Sequence, residues 1–287
     1  MDEGYPKKPL NFSEQLELLK KRGIDVEHSE FASSFLSRVN YYRFTAYLLS
    51  YKKGDMYIEG TSFNRIVSIY EFDKKLRNLL IGVIEEIEIA FRTHIAYHHA
   101  HKYGPFGYED ASNFLKQERH QEFLKELHEL RDRNRHNEDF IRHHFKKYNG
   151  RFPLWVIIEI SSLGTLSKLF KNLKEEDKKL IAKQYYNIPY WYIESWLHTL
   201  TLVRNLCAHY NRLYNRKLKS RPQLFKDIKD QIDNHKIFSS IYTITRLLPK
   251  AEKDLFLTNL TALVLQYEEE IDLGCLGFPE EWEKILK

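Results

Sequence analysis

The feature that most constrains the fold of this chain is a run of apolar residues between Ser62 and Tyr103. The apolar positions recur at intervals of about 3.5 residues, a spacing that keeps them on one side of an α-helix. They are Ile66, Ile69, Leu76, Leu80, Val83, Ile87, Phe91 and Ile95, and the run contains no proline. It predicts one long helix, or two helices in line with a bend at Gly82, against which the rest of the chain must pack.

The rest of the chain also shows helical periodicity. Glycine and proline, at 11 and 8 of 287 residues, are too sparse for the frequent turns of a β-sandwich or barrel. Capping residues and apolar spacing predict further helices in 11–23, 30–51, 112–135, 153–170, 191–212, 232–248 and 255–267. We therefore expect an all-α fold, a multi-helix bundle.

Composition bounds the cellular setting. The chain is 43% hydrophobic and 30% charged, as in an ordinary globular protein, and its net charge of +5 permits a polyanionic partner. Cys207 and Cys275 are too few and too far apart for a disulfide framework. No apolar run has membrane-spanning length, and the N-terminus, Met1 to Lys8, has no apolar stretch behind its charges. We expect a cytoplasmic protein without a membrane partner.

Polar residues form a stripe on the helix predicted for 191–212. With Asn205 as the reference direction and about 100° per residue, four other polar residues fall within about 40° of it. They are His198, His209, Arg212 and Arg216. Arg204 lies about 100° to one side, with a side chain long enough to swing toward the stripe, whereas Val203, Leu206 and Tyr210 are expected to face the core.

Such a stripe suits a phosphodiester substrate. Arginine presents permanently charged donors to phosphate oxygens, and histidine both accepts and donates protons near neutral pH. RNA carries its own nucleophile, the 2′-hydroxyl, so that this chemistry needs no metal. An Arg-x4-His pattern alone, however, arises easily by chance, and on a bare helix it more often marks a solvated or ion-paired face.

The context of the pattern is similar to a known family. The segment Arg204–Arg216 resembles the signature of the HEPN superfamily, in the form found in Abi-like (abortive infection) bacterial proteins. Further blocks resemble the same family in the same order, and they span roughly residues 9–220. These blocks are Pro9–Gln15 with Lys21–Gly23, Asn40–Arg43, Phe72–Arg77, Glu85–Arg92, Pro153–Trp155 and Gly164–Ser167.

The resemblance implies a fold and an activity. It implies a HEPN-type helical bundle with additional N- and C-terminal helices, here a single domain over 1–287 in which 222–287 form a less recognisable helical extension. It further implies a metal-independent endoribonuclease without a cofactor, acting as a toxin or phage-defence effector. Arg204 and His209 would be the catalytic pair, supported by Asn205. HEPN sites are commonly completed by dimerisation, and some Abi-like proteins are held inactive by a small non-coding RNA.

Two basic segments are candidates for gripping the RNA backbone. Arg216, Lys217 and Lys219 continue the polar stripe and are expected to bind RNA together with His198 and Arg212. The segment 142–151, with Arg142, Lys146 and Lys147, contains no acidic residue. An RNA-binding surface and a solvated helix end explain that segment equally well.

Several other patterns in the sequence allow alternative interpretations. Arg92 and His98 repeat an Arg-x5-His spacing, although an ion pair between Glu88 and Arg92 is the simpler interpretation. The paired histidines do not form a credible metal-ligand set, and the Asn40–Arg43 aromatics are read as core rather than as a base-stacking surface. Two functions are alternatives to the endoribonuclease. One is an RNA-binding module that sequesters a structured RNA without cutting it, and the other is a protein whose helices mediate protein assembly and whose motif is a hydrogen-bonded core feature.

Overall fold

The computed structural model describes residues 8–287 and confirms the all-α prediction. The described chain contains thirteen α-helices and a two-stranded antiparallel sheet. The helices are α1 Phe12–Lys21, α2 Ser29–Arg38, α3 Tyr41–Thr45, α4 Phe63–Tyr103, α5 Gln117–Arg133, α6 Asp139–Lys147, α7 Leu154–Ile157, α8 Leu163–Asn172, α9 Glu175–Ile181, α10 Tyr190–Ala208, α11 Ile237–Leu247, α12 Lys250–Gln266 and α13 Trp282–Leu286. The strands are β1 Lys52–Lys53 and β2 Met56–Tyr57. The expectation about the N-terminal segment lies almost entirely outside the described residues.

The long helix α4 is the centre of the fold. It runs from Phe63 to Tyr103 without interruption at Gly82, so the first of the two predicted forms is correct. Its apolar positions are buried, and α7 to α12 each pack against it. The apolar run therefore predicted the element around which the other helices assemble. Within residues 8–287, no helix is both long enough and apolar enough to cross a bilayer.

The prediction of one helical region over 30–51 is wrong in its continuity. The helix α2 ends at Arg38, and the Asn40 side chain accepts a hydrogen bond from the Tyr42 N–H to start α3. A 3₁₀ turn, Tyr47–Tyr51, then leads into the hairpin. Asparagine favours such caps over a helix interior, and this local hydrogen bond outweighs the apolar periodicity of the segment. The break turns Arg43 and Tyr47 toward the end of α10, where the site lies.

The helices beyond residue 222 pack onto the same core. Nearly every residue of α11 is buried, including Phe238, Ile241 and Ile244. Both α11 and α12 contact α4, and the hydrophobic cluster extends from Leu16 near the N-terminus to Leu286. The weakly recognisable extension thus covers the side of α4 that the earlier helices leave free.

Candidate functional site

The helix that carries the motif ends inside the motif. The predicted continuation of α10 through Arg212 is wrong, because the last helical residue is Ala208 and His209 is the capping residue. Tyr210 adopts a left-handed conformation, with φ 57°, and its N–H donates to the Cys207 carbonyl. The Asn211 N–H donates to the Leu206 carbonyl at 2.8 Å. This pair of hydrogen bonds is a Schellman motif, which reverses the chain and separates His209 from the residues that follow it.

Tyr210 occupies a backbone position that normally favours glycine. A Cβ in the left-handed region is strained, and the Tyr210 side chain is largely exposed, so little packing offsets that strain. We expect Tyr210→Gly to raise the free energy of unfolding by about 0.5–1 kcal/mol. Urea denaturation of both proteins measures this difference. Tyr210→Ala is the control, since alanine keeps the Cβ; equal stability of the glycine and alanine variants would contradict the argument.

A buried carboxylate on α4 holds the segment that follows the Schellman turn. Asp73 is fully buried and accepts hydrogen bonds from the Leu213 N–H at 3.1 Å and the Tyr214 N–H at 2.8 Å. It also accepts from the Tyr47 hydroxyl at 2.6 Å and pairs with Arg77. The carboxylate thereby joins α4, the turn after α3 and the chain beyond His209.

Arg43 also contacts the Schellman turn, at Tyr210. Its guanidinium donates to the Tyr210 carbonyl, so the Asn40–Arg43 block and the Asp73 block both meet the end of α10. Neither Arg43 nor Asp73 is among the residues that the sequence predicts for the site. The signal was present for Asp73, because it is the one charged residue between Ile69 and Leu76 on the buried face of α4 that also carries Leu80.

Five of the sequence-predicted residues line one cleft. It lies between the C-terminal half of α10 and the segment 216–220 that folds back beside it, and has a volume of about 260 Å³. The predicted residues in its lining are Asn205, His209, Arg216, Lys217 and Lys219. Three cations therefore surround an amide and an imidazole, an arrangement that favours an anionic ligand.

The polar groups at the centre of the cleft are accessible. Asn205 and His209 are exposed, and in the described part of the chain neither side chain makes a hydrogen bond or an ion pair. The interpretation of the motif as a hydrogen-bonded core feature is therefore wrong for these two residues. The buried member of the motif is Cys207, and burial raises the pKa of its thiol to about 12, so it is protonated at neutral pH.

Arg204 faces away from this cleft, toward α4. It is half-buried and does not line the cavity, and its charge lies close enough to Glu88 to lower the pKa of that carboxyl. Burial is the larger influence and leaves the pKa of Glu88 raised overall. Arg204 and Asn205 thus point about 100° apart around α10, as successive helical residues do, and the Arg204 side chain does not swing toward the polar stripe. Within one chain, the predicted catalytic arginine and histidine lie on different sides of α10.

The remaining predicted RNA-binding residues are dispersed. His198 is exposed on α10 and lines a second, neighbouring cavity. Arg212 is not on a helical stripe: it lies half-buried with its guanidinium carbon 6.0 Å from the centre of the Tyr47 ring. On α6, Arg142, Lys146 and Lys147 are outside the lining of both cavities, and Arg142 pairs with Asp139.

The second Arg/His spacing resolves into structural contacts. Arg92 pairs with Glu88, as the simpler interpretation predicted, and donates to the Ser161 carbonyl at 2.8 Å. His98 Nε2 lies 3.0 Å from the Tyr185 hydroxyl. Both side chains therefore have partners in the fold. Among residues 8–287, no three or more of histidine, cysteine, aspartate and glutamate are grouped so as to hold a metal ion.

His94, which lies on α4 between Arg92 and His98, is expected to make the stability of the protein depend on pH. Its ring stacks on Tyr185, and burial, with a smaller effect from His98, lowers the pKa of His94 from 6.5 to about 4. As the pH falls through that range, the unfolded chain takes up a proton that the folded protein does not, so stability is lost. Between about pH 7 and pH 5, we expect the free energy of unfolding of His94→Phe to fall by about 1 kcal/mol less than that of the wild type. The expected difference is this small because the His94 side chain is partly exposed to solvent.

Urea unfolding at the two pH values measures this difference between the proteins. The exposed His136, replaced by phenylalanine, serves as the control and should follow the wild type. Parallel pH dependence of His94→Phe and the wild type would show that His94 does not contribute.

Fold and site together define an all-α protein whose motif helix ends in an open, cation-rimmed polar cleft. A family model described as Abi-like protein matches residues 34–215, which is more than half of the chain and includes every residue of the cleft except those beyond 215. The chain belongs to the Abi-like protein family, and the resemblance inferred from the sequence is confirmed at that level. Comparison with curated proteins and with solved structures gives no significant match in either set.

Proposed function

We propose that this protein is a HEPN-type, metal-independent endoribonuclease. The observation that carries the proposal is the cleft at the end of α10, where accessible Asn205 and His209 side chains lie among Arg216, Lys217 and Lys219. An imidazole without a hydrogen-bonding partner among residues 8–287 is free to move protons, and the surrounding cations attract a phosphate backbone.

The proposed reaction is an internal transesterification of RNA. The 2′-oxygen attacks the adjacent phosphorus as its proton passes to a base, and the bond from phosphorus to the 5′-oxygen breaks. His209 serves as the acid/base, and the leaving 5′-oxygen gains a proton. The products are a 2′,3′-cyclic phosphate and a 5′-hydroxyl. Arg204 stabilises the charge on the phosphorane, and Asn205 donates to a phosphate oxygen.

Dimerisation is part of the proposal. Arg204 and His209 diverge across α10 and only His209 lines the cleft, so we propose that the two groups acting on one phosphate come from different chains. A second copy, with its motif helix facing the first, brings an Arg204 to the neighbouring His209. We propose that the active form is a homodimer or a higher oligomer, in keeping with the composite sites that the resemblance implies.

The same separation favours a second candidate, an RNA-binding module that does not cut. The cations of the cleft act on any phosphate backbone, whereas cleavage requires both motif residues at one phosphorus atom. In this form the protein sequesters a small structured RNA, whereas in a protein that also cleaves, such an RNA acts as an antitoxin that holds the nuclease inactive. Sequencing of RNA that copurifies with the protein tests whether such an RNA is bound: one dominant small RNA supports regulation by that RNA, whereas the absence of copurifying RNA counts against it.

The family assignment suggests the biological setting. Membership among Abi-like proteins supports a role in abortive infection, that is, in phage defence by a toxin that acts on RNA in the cytoplasm. A single chemical step, cleavage of cellular or phage RNA, would supply that toxicity.

The test is cleavage of a radiolabelled RNA by the purified protein in the presence of a metal chelator. We expect fragments that end in a 2′,3′-cyclic phosphate and no cleavage of the matching DNA, which lacks the 2′-hydroxyl. Full cutting by the double variant Arg204→Ala, His209→Ala would overturn the proposal.

A further inference from the structure

The exposed face of α10 continues well beyond the cleft. Trp191, His198 and Asn205 are seven residues apart, so each lies within about 40° of the others around the helix. All three are exposed, and Trp191 is 50% exposed. From Trp191 to His209 the helical rise amounts to about 27 Å.

The chain after the motif forms one wall along this face. Ser220 Oγ lies 3.1 Å from Thr199 Oγ1, and the Gln223 N–H donates to Ser195 Oγ at 2.8 Å. The Trp196 indole donates to the Gln223 carbonyl at 2.6 Å. These contacts hold the segment 216–223 beside α10, running back toward the start of the helix.

Two cavities open along this wall and meet at Ser220. The first is the cleft of His209; the second, of about 540 Å³, lies between α10, α5 and α8 and includes both His198 and Trp191. Because Ser220 lines both, the two cavities are neighbours along this wall, and we call them together the α10 groove. It has the motif at one end and an exposed indole at the other.

The second cavity is more positive than a count of its lining residues suggests, because two of its acidic residues are paired with lysines. Its acidic residues include Glu126, which accepts from Lys168, and Glu194, which accepts from Lys178. Three further cations line the cavity and form no ion pair among residues 8–287: Arg119, Lys171 and Arg221. Within the described residues, Glu122 is the one acid of this lining that forms no ion pair.

We infer that the α10 groove binds a single-stranded segment of RNA, with one base stacked on Trp191 and with phosphates contacting Arg119, Lys171 and Arg221. This inference rests on the proposed function and extends it to the strand beside the scissile phosphate. Inside a duplex the faces of each base are covered by its neighbours, so an indole stacks most readily on an unpaired base, and cations along a groove with an aromatic platform are the general means of holding single strands. The length of the groove corresponds to about eight nucleotides at the duplex spacing of 3.4 Å, and to fewer in an extended strand.

The first experiment measures binding of a fluorescent 12-nucleotide, fully 2′-O-methylated oligouridine, which has no free 2′-hydroxyl and is not cut. We expect Trp191→Ala to weaken binding about 5- to 100-fold, and Trp191→Phe, which retains a stacking ring, to restore most of the affinity. The matched control is Trp155→Ala, because Trp155 is 52% exposed but lines a different cavity. Unchanged affinity of Trp191→Ala would overturn the inference.

The second experiment tests the phosphate contacts by their salt dependence. Replacement of Arg119, Lys171 and Arg221 by glutamine should lower the slope of log affinity against log salt by about 0.7 for each lost contact. A loss of packing alone would not change that slope, so an unchanged slope contradicts the assignment.

The outcomes separate this inference from the proposed function. Binding that depends on Trp191, in a protein that cuts no RNA, would leave the groove standing and overturn the nuclease. Cleavage of long RNA at the wild-type rate by Trp191→Ala would support the nuclease and overturn the inference about the α10 groove. A wild-type protein that binds no RNA would overturn both.

Discussion

Replacement of His209 by alanine should lower the rate of RNA cleavage by two to four orders of magnitude, the range expected for loss of a general acid/base. His209 caps α10, is exposed, and has no hydrogen-bonding partner among the described residues. Its removal therefore leaves the fold intact while removing the group that moves protons. The measurement is the single-turnover rate of cleavage of a labelled RNA, with the melting temperature recorded alongside.

The matched control for this variant is His136→Ala. His136 is also exposed, but it precedes α6 and lies outside the lining of both cavities of the α10 groove. Its replacement should leave the rate within about twofold of the wild type, because surface substitutions away from a site have little effect. Equal rates for His209→Ala and the wild type would remove His209 from the mechanism, whereas equal losses in both variants would point to nonspecific damage.

Replacement of Asp73 by alanine should lower the free energy of unfolding by about 3–5 kcal/mol, the usual effect of removing one partner of a buried ion pair. The change leaves Arg77 buried without its carboxylate, and it leaves the N–H groups of Leu213 and Tyr214 without their acceptor. Because those N–H groups belong to the chain that follows His209, cleavage should fall as well, even at temperatures where the protein remains folded.

Glu71→Ala is the control for Asp73, on the same helix and one half-turn away. Glu71 forms a partly exposed ion pair with Lys74, and exposed pairs of this kind contribute at most about 1 kcal/mol. Chemical denaturation of the three proteins compares their free energies of unfolding. A difference between the two variants of less than 1 kcal/mol would mean that the Asp73 cluster does not anchor the segment.

Sequence periodicity predicted the elements of this fold well where one local signal dominated. The apolar spacing of α4 and the capping residue ahead of the apolar run of α1 correspond to observed helices, because each depends on residues within a few positions of one another. The same reasoning failed at Asn40 and at Tyr210. At Asn40 a side-chain cap starts a new helix, and at Tyr210 a Schellman pattern ends one, although the apolar spacing continues through both places.

What the sequence determined by itself is the chemistry available on α10: an arginine, an amide and a histidine in one motif, with cations shortly after it. What only the tertiary structure decided is which of these groups meet. Asp73 and Arg43, 140 and 167 residues away from their partners, hold the turn that returns Arg216 and the lysines to His209. The packing of α10 on α4 turns Arg204 away from the cleft. Such contacts join residues distant along the chain, and local periodicity carries no information about them.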